Sequence, residues 1–394
     1  MKITFITTHL TEITGAKNVV LDYANAFNER GHDVTIVAQR IDHNNFQFNK
    51  SISLIEIRDK LPSNPFYWIR FKIIKKKYLE ILNKQDSDIY FSHLFPSNYF
   101  CSQLKKNSNF KHVYYCYEPF RYFYDKKFYS NAPILLKILS FLLRLIYKKF
   151  DIEGARNADI IICISNFTKK KIKKCYNQNS YLHYPVINLE KEVNKLNHFN
   201  LKQKLLLKEN IPIIFTLGLS HHMKGAKELI YIFYKILTEI PNTILLIGGH
   251  ITKQNIAIIK KSINKLKIPK KNVIFYGRIE RKHLANIYNS AILTLYTAID
   301  EPFGLIPIES MKYGTPVIAF EGGPSETILH NKTGYLIKNG DLNKFANKAI
   351  KIIRDEALRR KFSKNAIFHV KKNFNFENSV LNLEMIFRSL GTFD

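Results

Sequence analysis

Short apolar runs alternate with amphipathic stretches along the chain. Near the N-terminus, an apolar run at 2–8 leads through a loop containing Gly15 to a helical pattern at 16–30 and a second apolar run at 33–38. Apolar runs of this length predict buried strands, and their alternation with helices predicts a parallel α/β sheet. The same alternation begins again at residue 211. We therefore predict an α/β protein with two such sheets.

A polar stretch is expected to divide the chain. Its 394 residues are too many for one ordinary domain. Residues 188–210 carry no strong strand pattern, which predicts a linker. We expect an N-terminal domain at 1–187, a C-terminal domain at 211–375 and a final helical segment at 376–394.

The most informative stretch follows the apolar run at 291–296. A loop with Glu301 and Gly304 leads into a helix that begins at Leu305 and carries Glu309. Such a loop places backbone N–H groups and a helix N-terminus at the carboxyl edge of the sheet, where anions and ligands bind. The two carboxylates are about two helical turns apart. We expect them to reach different parts of one elongated ligand rather than to form an acid/base pair.

Glycines and cations follow other predicted strands. Gly15 suits the close approach of a phosphate, although a plain tight turn explains a single glycine equally well. Gly218 begins a loop that ends with Lys224, a point charge for a diphosphate. Gly277 and Arg278 follow a further strand. Glycines and a lysine for phosphates, with glutamates for hydroxyl groups, fit a nucleotide-sugar.

The loop after the strand at 112–117 supplies candidates from the first domain. Glu118 and Arg121 lie in this loop, and two α/β domains in series leave a cleft into which they would point. A local ion pair between them is the alternative.

The chain carries a large positive charge. Lys and Arg number 61 against 32 Asp and Glu, a net charge of +29. Such a charge attracts nucleic acid, anionic lipid or phosphorylated substrates, but a composition rich in Lys, Asn and Ile explains it equally well. Because no nucleic-acid-binding motif accompanies the lysines, we expect no specific nucleic-acid partner.

The remaining composition favours the cytosol. The sequence shows neither an uncharged apolar run of membrane-spanning length nor a signal-peptide pattern. The four cysteines lack C-x2-C spacing, so we expect reduced, structural thiols and neither disulfides nor a zinc site.

A helical pattern at 133–150 is apolar nearly all round. Its polar positions form one narrow stripe: Lys137, Ser140, Arg144 and Lys148. Such a helix lies either in a membrane interface with its cations reaching the headgroups or in the protein core, and we favour the core slightly. The next predicted helix, 166–176, carries five lysines that would face anionic lipid or water.

The stretch Glu301-Pro302-Phe303-Gly304-Leu305, with Glu309, resembles the E-x7-E signature of the retaining, GT-B-fold glycosyltransferases of family four. The resemblance covers nearly the whole chain, including the Gly15 loop and Lys224-Gly225. It implies two Rossmann-like domains facing a cleft, with a C-terminal helix that crosses back to the N-terminal domain. It also implies transfer of a sugar from a nucleotide-sugar to a glycan or a polyisoprenyl-lipid-linked acceptor.

The resemblance also implies roles for single residues. Glu301 would contact the transferred sugar, Glu309 the ribose and Lys224 the phosphates, and Glu301 and Lys224 would be the catalytic contacts. The amides of Phe303, Gly304 and Leu305 would bind the sugar and diphosphate. The other donor-side positions are Gly15, Gly218, Gly277 and Arg278, and the acceptor-side positions are Tyr117, Glu118 and Arg121.

No bound metal or other cofactor is implied. The sequence Asp86-Ser87-Asp88 has the D-x-D form that many metal-dependent sugar transferases use, but it precedes a strand. Ligands lie beyond the carboxyl ends of parallel strands, so we predict a solvated turn there.

The chain departs from the family pattern at two positions. Leu219 occupies the place of a phosphate-binding arginine, for which His221, His222 or Arg278 would have to substitute. Tyr117 occupies the place of a histidine on the acceptor side, where Glu118 is the candidate replacement.

Two other functions remain compatible with the sequence. One is a nucleotide-sugar 2-epimerase with the same fold, and the other is a non-catalytic, basic lipid- or nucleic-acid-binding protein. For the transferase we expect a cytoplasmic location with peripheral contact to the cytosolic face of an anionic membrane.

Overall fold

A computed structural model describes most of the chain. The described residues are 1–11, 13–58, 70–105, 110–125, 134–188 and 200–391. They form two compact units, Met1–Ile187 with Phe376–Asp394, and Asn188–Asn375. The division after Ile187 coincides with the end of the predicted N-terminal domain. Part of the predicted linker belongs to the second unit, since Leu201 is buried in its core, and residues 189–199 lie outside the described residues.

The first unit is built on a seven-stranded sheet. Its strands are β1 (Lys2–Ile6), β3 (Asp33–Ala38), β5 (Ser53–Glu56), β6 (Ile89–His93), β7 (Lys111–Cys116), β8 (Ile160–Cys163) and β9 (Tyr181–Leu182), and the short pair β2 (His9–Leu10) and β4 (Arg40–Ile41) lies beside it. The sheet order is β5-β3-β1-β6-β7-β8-β9, and all neighbours are parallel. Strands covered on both faces are apolar almost throughout, as the sequence predicts for β1 and β8.

Helices cover this sheet. They are Gly15–Glu29, Phe71–Leu82, Ser97–Leu104, Arg121–Tyr124, Ile134–Arg156, Asn166–Tyr176 and the C-terminal Phe376–Arg388. The C-terminal helix packs on the first of them, with the Phe27 and Phe387 rings stacked at a centroid distance of 5.4 Å. The Arg30 Nε atom also donates to a Glu384 carboxylate oxygen at 2.8 Å. The predicted return of the C-terminal helix to the N-terminal domain is confirmed.

The helix Ile134–Arg156 differs from the expectation. The Tyr147 and Phe150 side chains pack against the core ring of Phe71. Four apolar side chains are nevertheless 54% to 57% exposed: Ile138, Phe141, Leu145 and Ile146. The preference for a helix mostly buried in the core was therefore wrong, because in the described residues one side of this helix packs on neighbouring helices and the other side is exposed. Pro133 and the side chains of Lys137 and Ser140 lie outside the described residues.

The Asp86-Ser87-Asp88 segment forms a turn before β6. The Asp86 carboxylate pairs with the Lys2 ammonium group at 2.7 Å, and the Asp86 side chain is almost fully exposed. The Asp88 carboxylate accepts a hydrogen bond from the Lys2 backbone N–H at 2.7 Å. These contacts match the predicted solvated turn.

The second unit is built on a six-stranded parallel sheet. Its strands are β10 (Ile213–Leu217), β11 (Ile244–Gly248), β12 (Val273–Gly277), β13 (Leu293–Tyr296), β14 (Val317–Phe320) and β15 (Gly334–Ile337). Its α-helices are Leu201–Lys204, Ala226–Glu239, Lys253–Lys265, Arg281–Ser290, Leu305–Lys312, Leu342–Arg354 and Glu356–Asn373. Short 3₁₀ turns cover His222–Lys224, Lys270–Asn272 and Gly323–Glu326.

The strand order of this sheet indicates where a ligand would bind. The order is β12-β11-β10-β13-β14-β15. The strands β11 and β12 are therefore added on one side of β10, and the strands β13, β14 and β15 are added on its other side. Ligands of open parallel sheets bind beyond the carboxyl ends of the strands at such a reversal. The loops that follow β10 and β13 are therefore the first place to look.

Within the described part of the chain, none of the helices combines the length and the hydropathy needed to span a bilayer.

Candidate functional site

The loop after β10 is held in a tight conformation. Gly218 donates its N–H to Gly248 O at 3.0 Å, and the 3₁₀ turn His222–Lys224 follows. Gly225 ends this turn with φ +70°, and a Cβ atom there would lie 2.1 Å from Thr297 O. Only glycine fits such a close approach of two backbones. The backbone at Lys224 is thereby pressed against the loop that follows β13.

Hydrogen bonds join these two loops. The Thr297 hydroxyl donates to the carbonyl oxygens of Lys224 and Gly225, each at 3.1 Å. The Ile299 N–H donates to Met223 O at 2.8 Å. The β10 loop and the β13 loop therefore form one rigid platform at the strand-order reversal.

Lys224 and Glu301 meet on this platform. The Lys224 Nζ atom donates to Glu301 Oε2 at 2.8 Å, and the Tyr296 hydroxyl lies 3.4 Å from the same nitrogen. The two charged side chains are only 14% and 15% exposed. A charge-assisted hydrogen bond in such a shielded place is stronger than an exposed ion pair. The site thus holds one cation and one anion side by side.

A glycine turn follows Glu301 and starts the next helix. Gly304 has φ +135°, and a Cβ atom there would lie 2.9 Å from the Thr327 hydroxyl. The helix Leu305–Lys312 begins at the next residue. Its first backbone N–H groups have no partner within the helix and point towards the carboxyl edge of the sheet. Phe303 is buried, and its ring lies 6.1 Å from the ring of Phe374, so its side chain serves packing.

Glu309 lies in the second turn of that helix and has a different partner. It is buried, and the Tyr288 hydroxyl donates to its Oε2 atom at 3.3 Å. Burial, and then the charge of Glu309, raise the pKa of Tyr288 well above its ordinary value. Tyr288 therefore stays a neutral donor, and Glu301 and Glu309 are held by separate partners, as expected for contacts to different parts of a ligand.

Two further residues that the sequence analysis assigned to the donor, Gly277 and Arg278, lie at the end of a different strand. Gly277 ends the edge strand β12, with Arg278 directly after it, and β11 lies between β12 and β10. Two strand spacings correspond to about 10 Å. Arg278 therefore follows a different strand from those that lead to Lys224 and Glu301, and its donor-side role stays a prediction. Leu219 is buried in the core of the second unit, so the position of the family's arginine serves packing here.

Tyr117 supports the N-terminal glycine loop of the first unit. Its hydroxyl donates to Ala16 O at 3.0 Å and lies 3.1 Å from His93 Nδ1. Burial raises the pKa of Tyr117 well above its ordinary value and lowers that of His93 to about 3. Gly15 begins the helix Gly15–Glu29, so Tyr117 secures its first turn.

Glu118 and Arg121 form the ion pair that the sequence analysis kept as an alternative. Arg121 Nε donates to Glu118 Oε1 at 2.5 Å, and Lys171 Nζ lies 3.7 Å from Glu118 Oε2. The acceptor-side role of both residues stays a prediction.

Three residues of the second unit were missed by the sequence analysis. They are Tyr288, which donates to Glu309; Tyr296, which lies beside Lys224; and Thr297, which joins the loops. The signal for the last two was their place at the end of an apolar strand, where side chains reach a parallel-sheet site. Tyr288 lies in the middle of the helix Arg281–Ser290 and carried no such signal.

Among the described residues, no group of three or more His, Cys, Asp or Glu side chains could hold a metal ion.

Two family models match the chain. The model of the group 1 glycosyl transferases matches residues 197–368, and the model of glycosyltransferase family 4 matches residues 13–191. The chain belongs to these group 1, family 4 glycosyltransferases. The recognition of this family from its E-x7-E stretch is confirmed.

Individual relatives agree with the family. N-acetyl-alpha-D-glucosaminyl L-malate synthase of Bacillus anthracis is 28% identical over 239 residues, which cover 59% of this chain and 60% of that protein. The alpha-1,3/1,6-mannosyltransferase ALG2 of Dictyostelium discoideum is 28% identical over 322 residues, which cover 72% of this chain and 71% of that protein. The relatives of this glycosyltransferase are thus named for different sugars.

A solved structure shares the fold. Anabaena Alr3699/HepE in complex with UDP and glucose has a TM-score of 0.76 and 16% identity, with 99% of this chain and 100% of that chain covered. The GT-B fold and glycosyltransferase function predicted from the sequence are confirmed. The 2-epimerase and the non-catalytic binding protein are not supported and are set aside.

Proposed function

We propose that this glycosyltransferase moves a hexose from a nucleoside-diphosphate donor to a polyisoprenyl-lipid-linked glycan, with retention of anomeric configuration and without a bound metal. The observation that supports this proposal is the Lys224–Glu301 pair at the strand-order reversal of the second unit. A cation beside a carboxylate matches a donor that carries a charged diphosphate next to a hydroxylated sugar.

Each part of the platform would have one task. The Lys224 ammonium group would neutralise charge on the diphosphate, and the Glu301 carboxylate would accept hydrogen bonds from sugar hydroxyls. The N–H groups at the start of the helix Leu305–Lys312 would stabilise the departing phosphate. Glu309 would bind the ribose hydroxyls from the second helical turn.

Retention would follow from attack on the face that the phosphate leaves. The bond between the anomeric carbon and the phosphate oxygen breaks, and the acceptor oxygen bonds to the same face of the sugar. The acceptor proton passes to the departing phosphate oxygen, so no protein base is needed. The main contribution of the protein would then be electrostatic stabilisation of the leaving diphosphate, supplied by Lys224 and the backbone amides. A divalent cation would not be required for that charge.

Related proteins support the donor class. The Anabaena Alr3699/HepE structure contains UDP and glucose, and the ALG2 relatives are named as mannosyltransferases. Both descriptions fit a nucleotide-linked hexose as the substrate of this chain.

We further propose that the enzyme associates peripherally with the cytosolic face of an anionic membrane. A polyisoprenyl-linked acceptor is anchored in that membrane, and the net charge of +29 would attract anionic headgroups.

The first experiment identifies the donor. A panel of nucleoside-diphosphate sugars is screened for an increase in melting temperature, which reports binding to the folded state. The true donor should raise the melting temperature in chelator-treated buffer. No shift with any donor in chelator, but a shift when Mn²⁺ is added, would contradict metal independence.

The second experiment tests the stereochemistry. With the donor identified, proton NMR follows the sugar transferred to an acceptor, or released by slow hydrolysis, before mutarotation. An anomeric configuration equal to that of the donor is expected. An inverted product would contradict the proposed mechanism.

A further inference from the structure

We propose that the first unit docks on an anionic lipid bilayer through one face of the helix Ile134–Arg156. Two sets of side chains make up the docking surface, an apolar set on this helix and a lysine set drawn from it and from the helix Asn166–Tyr176. The apolar ridge is Ile138, Phe141, Leu145 and Ile146, and the lysine collar is Lys148, Lys149, Lys171 and Lys174.

The apolar ridge is a continuous surface feature. Ile138, Phe141 and Leu145 are spaced three and four residues apart, so they share one stripe of the helix, and Ile146 widens it. All four side chains are more than half exposed. Single exposed apolar residues are normal on protein surfaces, but a contiguous set of large ones marks an interaction site.

The opposite side of the same helix accounts for its folding. Phe150 stacks on the Tyr99 ring at a centroid distance of 4.6 Å, and Asp151 is buried, with its carboxylate accepting from the Tyr176 hydroxyl at 2.9 Å. The helix is thus already held to the unit without the ridge. The ridge side chains, each more than half exposed, add little to the described core, and we explain them by binding.

The lysine collar borders the ridge. Lys149 lies four residues after Leu145 and continues the ridge stripe, while Lys148 Nζ lies 5.1 Å from the centre of the Tyr124 ring. Burial raises the pKa of the nearby Cys175 thiol, and Lys148, Lys174 and Lys171 oppose that rise. All three lysines thus act on the same thiol, although they come from two helices, and Lys171 Nζ also lies 3.7 Å from Glu118 Oε2.

Charge decides between a bilayer and a second copy of the chain. A two-fold symmetric dimer would bring the same surface of each copy together, and the collars would repel one another. An anionic bilayer offers hydrocarbon to the ridge and phosphate headgroups to the collar. Lysine stems also lie along apolar surface while their ammonium groups reach the headgroups. Anionic lipid is therefore the occupant that matches both sets.

This assignment rests on the proposed membrane association and not on the sugar-transfer chemistry. The test measures the partition of the full-length protein onto sedimenting vesicles of phosphatidylcholine, with and without about one third phosphatidylglycerol. Because each lysine near an anionic surface strengthens binding severalfold, wild type should partition at least about tenfold more strongly onto the anionic vesicles.

Matched variants locate the surface. Phe141→Ser/Leu145→Ser should weaken partition by at least about tenfold, because two apolar side chains no longer enter the interface. The control Phe368→Ser/Met385→Ser alters two apolar side chains that are 68% and 66% exposed elsewhere, and it should bind like wild type. Lys149→Glu/Lys174→Glu should also weaken binding at least about tenfold, whereas Lys371→Glu/Lys372→Glu, with the same change in net charge, should have a much smaller effect.

The possible outcomes distinguish an error in the membrane association from an error in the choice of surface. If wild type binds neither vesicle, the membrane association itself is wrong. If wild type binds and the ridge variant equals its control, another surface binds and only this assignment is wrong. A lipid-free dimer that the ridge variant converts to a monomer would show that a second copy covers the ridge. The donor-dependent melting shift should persist in every variant, which shows that they are folded and tests the donor site separately.

Discussion

Lys224 and Glu301 hold each other in place before any substrate arrives. Their 2.8 Å contact lies in a shielded position, so each charge offsets the cost of burying the other. A donor would offer the lysine a diphosphate and the glutamate a sugar hydroxyl, which replaces one internal contact by two contacts to ligand. Substituting either residue therefore removes a ligand contact and also leaves the other charge without its partner.

The first prediction concerns this pair. Lys224→Ala and Glu301→Ala should each lower kcat by about 10²–10³, the effect of losing a preorganised contact to developing charge. Steady-state kinetics at saturating donor measures this loss. Lys282→Ala is the control, because its side chain is half exposed and pairs with the exposed Glu280 carboxylate. Turnover like that of wild type in both site variants would exclude them from the reaction.

Sequence alone could predict these two residues but not their contact. Both follow apolar strands, and the resemblance assigns both to the donor. They are brought together because β10 and β13 are neighbours in the sheet, although 77 positions separate the two side chains. The hydroxyl of Tyr117 illustrates the same limit, since its bond to Ala16 O spans 101 positions. Long-range partners depend on strand order, which local patterns do not encode.

At the scale of elements, the site depends on how closely the β10 loop approaches the β13 loop. The closest approach is at Gly225, where the carbonyl oxygen of Thr297 occupies the space that a Cβ atom would need. A shift of either loop would separate the Lys224 and Glu301 side chains. The glycine is thus required by the architecture of the platform rather than by the ligand.

The second prediction tests this requirement. Gly225→Ala should lower the free energy of unfolding by roughly 3 kcal/mol or more, because backbone strain is added to a direct steric conflict. Gly340→Ala is the matched control, since Gly340 also has positive φ but a Cβ atom there would meet nothing within 4 Å. That change should cost only about 1–2 kcal/mol, the strain of a side chain at positive φ. Urea unfolding followed by circular dichroism compares them, and equal losses would contradict the close-approach argument.

Periodicity predicted some elements better than others. The helix Leu305–Lys312 was predicted with its observed bounds, because a glycine turn and two apolar strands enclose it. The strand Gly334–Ile337 was not assigned, since four residues between turns carry too little pattern. The helix Glu356–Asn373 was also not assigned, because charged residues crowd its narrow apolar stripe. The exposed face of Ile134–Arg156 was misjudged because an all-apolar pattern does not reveal which side meets the core.

At the scale of the whole molecule, the free energy of unfolding at acid pH should depend on buried histidines of the first unit. Burial lowers the pKa of four of its histidines: His93 and His112 to about 3, and His9 and His183 to about 4. These groups stay neutral in the folded unit, whereas they take up protons below about pH 6.5 once the chain unfolds. Their contribution is therefore complete above pH 6.5 and is lost progressively as the pH falls towards 4.

The final prediction compares this pH dependence between histidine variants. Urea titration of the full-length protein, followed by circular dichroism at several pH values, measures the free energy of unfolding. Each such histidine should steepen the loss of unfolding free energy between pH 6 and 5 by up to about 1.4 kcal/mol per pH unit. The His183 ring nitrogens lie 2.9 Å from the Tyr115 hydroxyl and 2.8 Å from Ser379 O. His183 directly follows β9, so its ring joins this strand to the C-terminal helix. His183→Gln should lower overall stability and also reduce this slope by about one histidine's share, and His43→Gln, at an exposed position, is the control variant. An unchanged slope in His183→Gln would show that this buried ring does not control the acid response.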